Sequence, residues 1–541
     1  MTDTTLPAPD PVTTTKGSDF SRRSLLAALG VGGAAATVGL STGSAAAQSG
    51  SAPSGATVPS AAPAKPVPPV AGLHVAFGAD ASTTASITWH SIQQVKNPRI
   101  LIAKDGQGHE QTIRAAVDSY TDDKSGTVVY AYHARATRLS PDTSYVYLAV
   151  HDGAAPEFGT FRTAPRGRKA FRFTSFGDQG TPTMGKKNSD GTYVNDNLGS
   201  PAAGDTTAGV ESVEPLLHLF NGDLCYANLA TDRVRTWSDF WNNNTRSARH
   251  RAWMPAPGNH ENELGNGPIG YKAFQTYFDT PRQPGQTDVT EGLWYDVTVG
   301  SVKFVFLAND DVCLQDGGDV RVLGYSKGAQ KAWLERTLKA ARADRGIDWI
   351  VVCMHQVAIS TANNFNGADL GVREEWLPLF DKYGVDLVVA GHEHHYERSK
   401  AIRGQQQNQT KTPIPTVDDL DVVDTTKGTV HMIIGGGGTS APSNQLLFDP
   451  PQCRVIVAVS DRPSAPEGTV THGTPTYVTE DAVWAGTRDA ANSYGFAAFD
   501  VDPGSRPGDL TTIKVTYYEV TGPYGTLTPF ESFTLQRPRR D

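Results

Sequence analysis

Three histidines fall within four residues, directly after an apolar run, in the stretch LVVAGHEHHYERS (residues 387–399). Functional groups of α/β folds collect at the carboxyl ends of strands, so imidazoles in this place predict a metal site. His392 and His394 are two residues apart, and on a loop their rings can reach metals on opposite sides of the backbone. We expect His395 to lie in an outer position or to be exposed rather than to bind metal.

Four more apolar strands run into polar clusters of the same kind: FRFTSFGDQG, PLLHLFNGDLCYAN, RAWMPAPGNHENE and DWIVVCMHQ. The candidate ligands that they add are Asp178, Asp223, Tyr226, Asn259 and His355. Carboxylate, phenolate, amide and imidazole donors suit iron, manganese or zinc rather than a soft thiolate site. One carboxylate can bridge two cations, and two adjacent cations can hold a phosphate ester and activate water. Five such clusters in order predict one shared centre, with Asp223 as the natural bridge.

The segments between these clusters predict an α/β layered fold. Residues 327–342 have helical periodicity with three apolar side chains on one face, and REEWLPLFDKYG reads as a second helix that ends at Gly384. Continuous apolar strands that alternate with helices are typical of sheets covered by helices. We therefore expect one α/β domain over residues 168–530.

Residues 70–165 predict a small all-β sandwich, because apolar residues alternate there between turn signals. The segment LSPDTSYVYLAV resembles the tyrosine corner of fibronectin type III domains, with Trp89 as the core tryptophan. A structural role is expected for this sandwich, as a spacer or as a wall against the next domain. A binding function is the alternative.

The first 47 residues resemble a twin-arginine export signal. Arg22 and Arg23 precede a weakly apolar stretch rich in Ala and Gly, and a small-residue cleavage site ends at Ala47. A transmembrane anchor is the alternative, which the glycine content and the short apolar run disfavour. Residues 48–69, rich in Pro, Ala and Ser, predict an extended linker. A secreted or extracytoplasmic protein without a stable membrane anchor is expected.

The whole-chain composition excludes some classes of protein. A formal net charge of −9 over 541 residues argues against a general nucleic-acid binder, which would present a basic face. The four cysteines are too scattered for a disulfide framework or a CxxC metal site.

The ordered set GDQG, GDLCYAN, GNHE, VVCMH and GHEHHYER resembles the calcineurin-like metallophosphoesterase superfamily. Within it, the tyrosine three residues after the second aspartate and the YER tail resemble the purple acid phosphatases. The resemblance implies a four-layer α/β/β/α metallophosphoesterase sandwich, preceded by the fibronectin III-like sandwich. It also implies hydrolysis of small phosphate monoesters by attack of a metal-bound hydroxide.

Carried over by position, the resemblance implies one metal at Asp178, Tyr226 and His394 and another at Asn259, His355 and His392, with Asp223 bridging. The phenolate would favour Fe(III), and the second metal would be divalent Fe, Zn or Mn. His260 would contact phosphate or protonate the leaving alkoxide. Glu261 and Glu393 are expected to orient imidazoles by accepting their second N–H.

One departure from the family leaves the substrate class open. Plant-type members carry paired histidines soon after the strand-end histidine, whereas this chain has Asn363 and Asn364 in that stretch. A phosphodiesterase of the same architecture is therefore the nearest alternative. A cell-surface binding protein with a vestigial phosphoesterase domain is the alternative from another class, and it predicts lost ligands.

Other features are interpreted as structural. Cys225 is expected to be a small buried filler, and the run IIGGGGTS a tight turn beside the site. The acidic run NDDVCLQDGGD is expected to be a solvated loop, because it lacks EF-hand spacing. The polar segment 181–205 is either a loop over the site or a surface insertion.

Overall fold

A computed structural model describes residues 66–108, 111–182, 198–263, 268–315, 325–460, 474–522 and 524–541. The expected export signal and most of the linker lie outside these ranges, as does most of the 181–205 segment. Within the described ranges, no helix combines the length and apolar character needed to cross a membrane.

The N-terminal part of the chain contains only strands: β1 (Ala71–Phe77), β2 (Ala85–Ser91), β3 (Arg99–Lys104), β4 (Gln111–Arg114), β5 (Ala116–Thr121), β6 (Val128–Ala136), β7 (Ser144–Val150) and β8 (Glu157–Arg162). They form two facing layers, in the orders β1-β2-β6-β5 and β4-β3-β7-β8. Trp89 is fully buried between them. Tyr145 Oη accepts a hydrogen bond from Ser140 N at 2.8 Å, which is the contact that the tyrosine-corner pattern predicts.

The remaining chain mixes strands and helices. Its strands are β9 (Phe171–Phe176), β10 (Leu217–Asn221), β11 (Ala252–Ala256), β12 (Tyr295–Val299), β13 (Val302–Phe306), β14 (Trp349–Cys353), β15 (Ala368–Asp369), β16 (Leu387–Ala390), β17 (Tyr396–Ser399), β18 (Ala401–Gln405), β19 (Pro413–Val417), β20 (Val422–Asp424), β21 (Val430–Ile434), β22 (Gln452–Val459), β23 (Pro475–Asp481), β24 (Ala485–Arg488), β25 (Gly495–Asp502), β26 (Leu510–Thr521) and β27 (Thr526–Pro538). Its helices are α1 (Ala202–Ser212), α2 (Arg233–Ala248), α3 (Lys272–Tyr277), α4 (Ala329–Ala343), α5 (Leu370–Glu375) and α6 (Leu377–Tyr383).

Two sheets pack face to face in this part. The first contains β25-β9-β10-β11, with β9, β10 and β11 parallel. The second has the order β12-β13-β14-β16-β21-β17-β24, with β13, β14, β16 and β21 parallel. Phe173 of the first sheet meets Phe304 of the second edge to face, with ring centroids 5.0 Å apart. The central strands are buried along their whole length, as their continuous apolar sequences predict.

The first predicted helix is confirmed, and the second is divided into two. α4 buries Trp333, Leu334 and Leu338 on one face. The second prediction corresponds to α5 and α6, which are separate because Pro378 stands in the first turn of α6. α6 ends at Gly384, which adopts φ 63°. The predicted α/β class, preceded by an all-β unit, is likewise confirmed.

The N-terminal sandwich and the α/β part share one sheet. β1 runs parallel to β11, with Val75 opposite Ala252, so the first sheet continues through β1, β2, β6 and β5 to a total of 11 strands. His74 of β1 stacks on Trp241 of α2 at 3.9 Å between ring centroids. The junction between the two parts is therefore both hydrogen-bonded and packed.

Candidate metal centre

The candidate ligands follow the carboxyl ends of strands in both sheets. Four of them lie two residues beyond a strand end: Asp178 after β9, Asp223 after β10, His355 after β14 and His392 after β16. Asn259 lies three residues beyond the end of β11. The carboxyl ends of parallel strands meet at one edge of a sheet, so two facing sheets bring these side chains together. Neither sheet alone supplies the whole set.

One group of donors forms around Asp178. Oxygen and nitrogen atoms of Asp178, Asp223 and His394 lie within 4.8 Å of one another, and all three residues are buried. Tyr226 Oη is 3.1 Å from His394 Nε2 and 3.4 Å from Asp178 Oδ1.

A second group forms around His355. Its Nε2 is 3.1 Å from Asn259 Oδ1, 3.3 Å from His392 Nδ1 and 3.1 Å from Asp223 Oδ2. Asp223 thus adjoins both groups. The structure brings all seven predicted residues together, in two groups that share this carboxylate.

The positions of the imidazole nitrogens show that the site suits cations. Nδ1 of His355 lies 2.7 Å from the backbone oxygen of Asn221, and Nδ1 of His394 lies 2.7 Å from that of Ala441. A carbonyl oxygen only accepts, so Nδ1 of each ring carries a proton there. Nε2 of each ring faces the oxygen atoms of Asp223 or Asp178. A proton or a metal ion between these atoms supplies the positive charge that balances the carboxylates.

The pKa values of the same groups reflect this shortage of positive charge. Burial opposes protonation of His355, yet Asp223 and Asp178 raise the pKa of its imidazole to about 10. Burial alone would raise the pKa of Asp223, but His355 and His260 hold that pKa well below its usual value. Burial and Asp178 raise the pKa of the Tyr226 phenol well above its usual value. A buried cluster of this kind attracts cationic charge, and the donor set fits hard or borderline metals.

Four of the seven residues have left-handed backbone conformations. The φ angles are 56° at Asp178, 52° at Asp223, 56° at Tyr226 and 70° at His392. This conformation costs a residue with a Cβ atom about 1 kcal/mol or more, and it concentrates at functional sites. The left-handed backbone is therefore concentrated in the segments that carry the donors, and no pattern in the sequence reveals it.

Glycines precede the candidate ligands because the backbones approach too closely for a side chain. A Cβ atom at Gly258 would lie 2.3 Å from Asp223 Oδ1, and one at Gly391 would lie 2.3 Å from Asp178 Oδ2. Glycine is therefore required before Asn259 and His392, because neighbouring strand ends lie too close together for a larger residue.

The expected role of Glu261 and Glu393 in orienting imidazoles is wrong. Glu261 instead accepts the backbone N–H groups of Asp223, Leu224 and Gly258. Glu393 accepts the backbone N–H of Gly367. Backbone carbonyls orient the rings in their place. The sequence does not predict this role, because every residue has a backbone carbonyl. Only the fold determines which carbonyl lies beside an imidazole.

His260 lies beside the two donor groups at a more open position. Its Nδ1 is 2.9 Å from Asn228 Oδ1, and its Nε2 is 3.9 Å from Asp223 Oδ2. The side chain is 22% exposed, whereas the Asp223 side chain is 2% exposed. His395 is buried in an outer position, with its ring nitrogens near Ser443 Oγ and Glu397 Oε2.

Residues 309–314 of the acidic run are buried, so its interpretation as a solvated loop is wrong for this part, while residues 316–319 of the run lie outside the described residues. Asn309 Oδ1 accepts the backbone N–H groups of His355 and Gln356, and thereby fixes the loop that carries a candidate ligand. Asp311 accepts hydrogen bonds from Ser326 and Gln330. These internal contacts use the carboxylates that the sequence placed in solvent.

Two other interpretations agree with the structure. Cys225 is 1% exposed, and burial raises the pKa of its thiol, as expected of an inert filler. The glycine run lies beside the site as expected, since Thr439 N donates to the backbone oxygen of Asp178 at 3.1 Å.

We predict that Glu261→Ala destabilises the fold and weakens metal retention, because it leaves three buried N–H groups without an acceptor. The loss of unfolding free energy should be about 3 kcal/mol or more. Chemical denaturation and elemental analysis measure both effects. The control is Glu214→Ala, which removes a carboxylate whose side chain is 78% exposed. Equal stability of the two variants would contradict the assigned role.

Comparisons with known proteins agree with this geometry. Residues 70–163 match the family model of the purple acid phosphatase N-terminal domain, and residues 204–396 match that of the calcineurin-like phosphoesterases. A Mycobacterium tuberculosis protein, named only as uncharacterized, is 58% identical over 472 residues, which are 87% of this chain and 88% of the relative.

Two characterised proteins are more distant. The Fe(3+)-Zn(2+) purple acid phosphatase 12 of Arabidopsis thaliana is 29% identical over 232 residues, which are 41% of this chain and 44% of the relative. A purple acid phosphatase structure from yellow lupin (Lupinus luteus) seeds superposes with a TM-score of 0.59 at 19% identity, over 87% of this chain and 75% of that one. The lupin structure shows a shared fold.

The chain combines matches to both domains of one family with buried donors at the strand ends that the family motifs occupy. It therefore belongs to the purple acid phosphatase family of calcineurin-like phosphoesterases and is a metal-dependent phosphoester hydrolase.

Proposed function

We propose that this protein is an exported phosphatase that hydrolyses phosphate monoesters at a centre of two metal ions. The observation that carries the proposal is the pair of donor groups that share Asp223, with imidazole Nε2 atoms facing oxygen atoms. A vestigial domain of a binding protein would not be expected to keep all seven donors together.

One cation would be held by Asp178, Tyr226 and His394 and the other by Asn259, His355 and His392, with Asp223 between them. A tyrosine phenolate favours Fe(III), and the Arabidopsis relative carries Fe(3+) and Zn(2+) in its name. We propose Fe(III) with divalent Fe, Zn or Mn. When bound, the two ions would polarise the phosphoryl oxygens and activate water.

His260 is the residue that we assign to proton transfer or phosphate contact. Asn228 Oδ1 accepts from its Nδ1–H, so Nε2 faces the centre. A proton held at Nε2 can be donated to a phosphoryl oxygen or to the leaving alkoxide. The partial exposure of this ring, unlike that of the buried donors, gives a substrate access to it.

Phosphodiester hydrolysis is the second candidate, and one observation favours it. The loop that follows His355 carries no histidine and no charged residue from position 356 to 368. Its crest, Asn363 and Asn364, is exposed and carries amide side chains. A diester has one negative charge less to neutralise than a monoester dianion.

The metal centre can be tested by elemental analysis and visible spectroscopy of the purified protein. We predict two metal ions per chain and a visible band that Tyr226→Phe abolishes, since the band needs the phenolate on iron. The variant should keep its fold, because only one hydroxyl group is removed. Asp223→Asn should lose at least one of the two ions.

A coloured wild type whose spectrum is unchanged in Tyr226→Phe would contradict the assignment of the phenolate. A colourless, fully active wild type would replace iron with a zinc or manganese pair. Full retention of both ions in Asp223→Asn would contradict the bridge.

Substrate class can be tested with p-nitrophenyl phosphate and bis(p-nitrophenyl) phosphate at equal metal loading. We predict a higher kcat/KM for the monoester than for the diester. His260→Ala should lower kcat for the monoester at least tenfold, as is typical when a general acid is removed. A clear preference for the diester would select the second candidate instead.

Export by a twin-arginine pathway rests on Arg22, Arg23 and the small-residue site that ends at Ala47. The mature protein should begin at Gln48, and N-terminal mass spectrometry of the exported protein checks this. An intact N-terminus on a protein retained in the cytoplasm would contradict export.

A further inference from the structure

We propose that Phe365 forms an aromatic rim that binds an uncharged, planar organic group of the substrate. The inference rests on the proposed phosphatase function and names the class of ester that the site favours. Its basis is the loop from Thr361 to Gly367, which follows the candidate ligand His355.

The loop is held rigidly to the segment that carries two candidate ligands. Thr361 N donates to Glu397 Oε2 at 2.8 Å, and Gly367 N donates to Glu393 Oε1. Between these anchors, Asn366 Nδ2 donates to the backbone oxygen of His392. Both ends of the loop and one side chain are thus fixed, so the crest has a defined position relative to the centre.

Next to the crest, Phe365 places an aromatic ring against the centre. Asn363 and Asn364 are exposed, and Phe365 is partly exposed. The Phe365 ring lies 4.9 Å from the ring of His394, centroid to centroid, at an interplanar angle of 66°. Phe365 therefore makes a T-shaped contact with a donor of the metal centre.

Phe365 is one end of a row of rings that crosses the site. His260 lies 4.6 Å from Tyr226, and Tyr226 lies 6.3 Å from His394. The two inner rings are buried, whereas His260 and Phe365 at the ends are partly exposed. The exposed ends border the accessible side of the centre, where a bound ester must lie.

The chemistry of the rim indicates what it binds. No residue from 356 to 368 is charged, so the loop offers nothing to neutralise additional anionic groups on a substrate. Asn363 N donates to the backbone oxygen of Leu446, whose side chain is 39% exposed and adds apolar surface beside the crest. An aromatic ring beside aliphatic and amide groups favours a planar, uncharged moiety, such as an aryl group.

The test compares 2-naphthyl phosphate with glycerol 2-phosphate in the metal-loaded protein. Phe365→Ala should raise KM for the naphthyl ester about three- to tenfold, the range expected for one lost aromatic contact, and change KM for the glycerol ester less than about twofold. Phe365→Tyr keeps the ring, so its KM for the naphthyl ester should equal that of the wild type. The control, Tyr524→Ala, removes an aromatic ring that is 88% exposed and should change neither value.

Equal losses for both esters in Phe365→Ala would show that Phe365 only supports His394, and would overturn the proposal. Unchanged KM values would overturn it as well. If the wild type hydrolyses no phosphate ester, the proposed function fails. Fluorescence titration with 2-naphthyl phosphate then decides the rim separately: weaker binding to Phe365→Ala than to wild type supports it, and equal binding overturns it.

Discussion

The architecture of this protein follows from one electrostatic constraint: two carboxylates, Asp178 and Asp223, are buried side by side. Their oxygen atoms lie within 4.8 Å of each other and of an imidazole nitrogen. Both side chains are buried, and Nδ1 of His355 and of His394 is already hydrogen-bonded to a backbone carbonyl. Such a cluster needs positive charge, from a protonated imidazole or from bound cations. The left-handed backbone at four donors, the glycines before them and the Glu261 contacts all serve to hold this charge arrangement together.

The two sheets share the work of meeting that constraint. The first sheet supplies the carboxylates, the phenol and the amide, and the second supplies the imidazoles. Each group of donors therefore contains side chains from both sheets, and the distance between the sheets sets the distance between donors. The packing of Phe173 on Phe304 and the metal chemistry are coupled for this reason. A substitution deep between the sheets can alter the centre without touching a donor.

Much of the site could be predicted from the sequence, because strand-end motifs are local. Seven donors and His260 stand within a few residues of apolar runs that are recognisable by composition alone. The roles of Glu261 and Asn309 could not be predicted, since both act on backbone N–H groups of segments brought near by folding. The burial of Asp311 was also hidden, because its partner Ser326 lies 15 residues further along the chain. Backbone strain at Asp178 leaves no trace in residue type. The order of the strands in the large sheet was equally beyond local patterns.

The pairing of β1 with β11 makes β11 an internal strand of the large sheet. An internal strand of a sheet has its backbone N–H and C=O groups satisfied on both sides, whereas an edge strand offers one unpaired row to other chains. Here β1 pairs with β11, and β2, β6 and β5 follow, so this edge of the sheet lies at β5, four strands away from β11. The N-terminal sandwich thus covers the flank of β11. Removing it would uncover β11, a fully buried apolar strand, and leave a row of its backbone groups open to pairing with another chain.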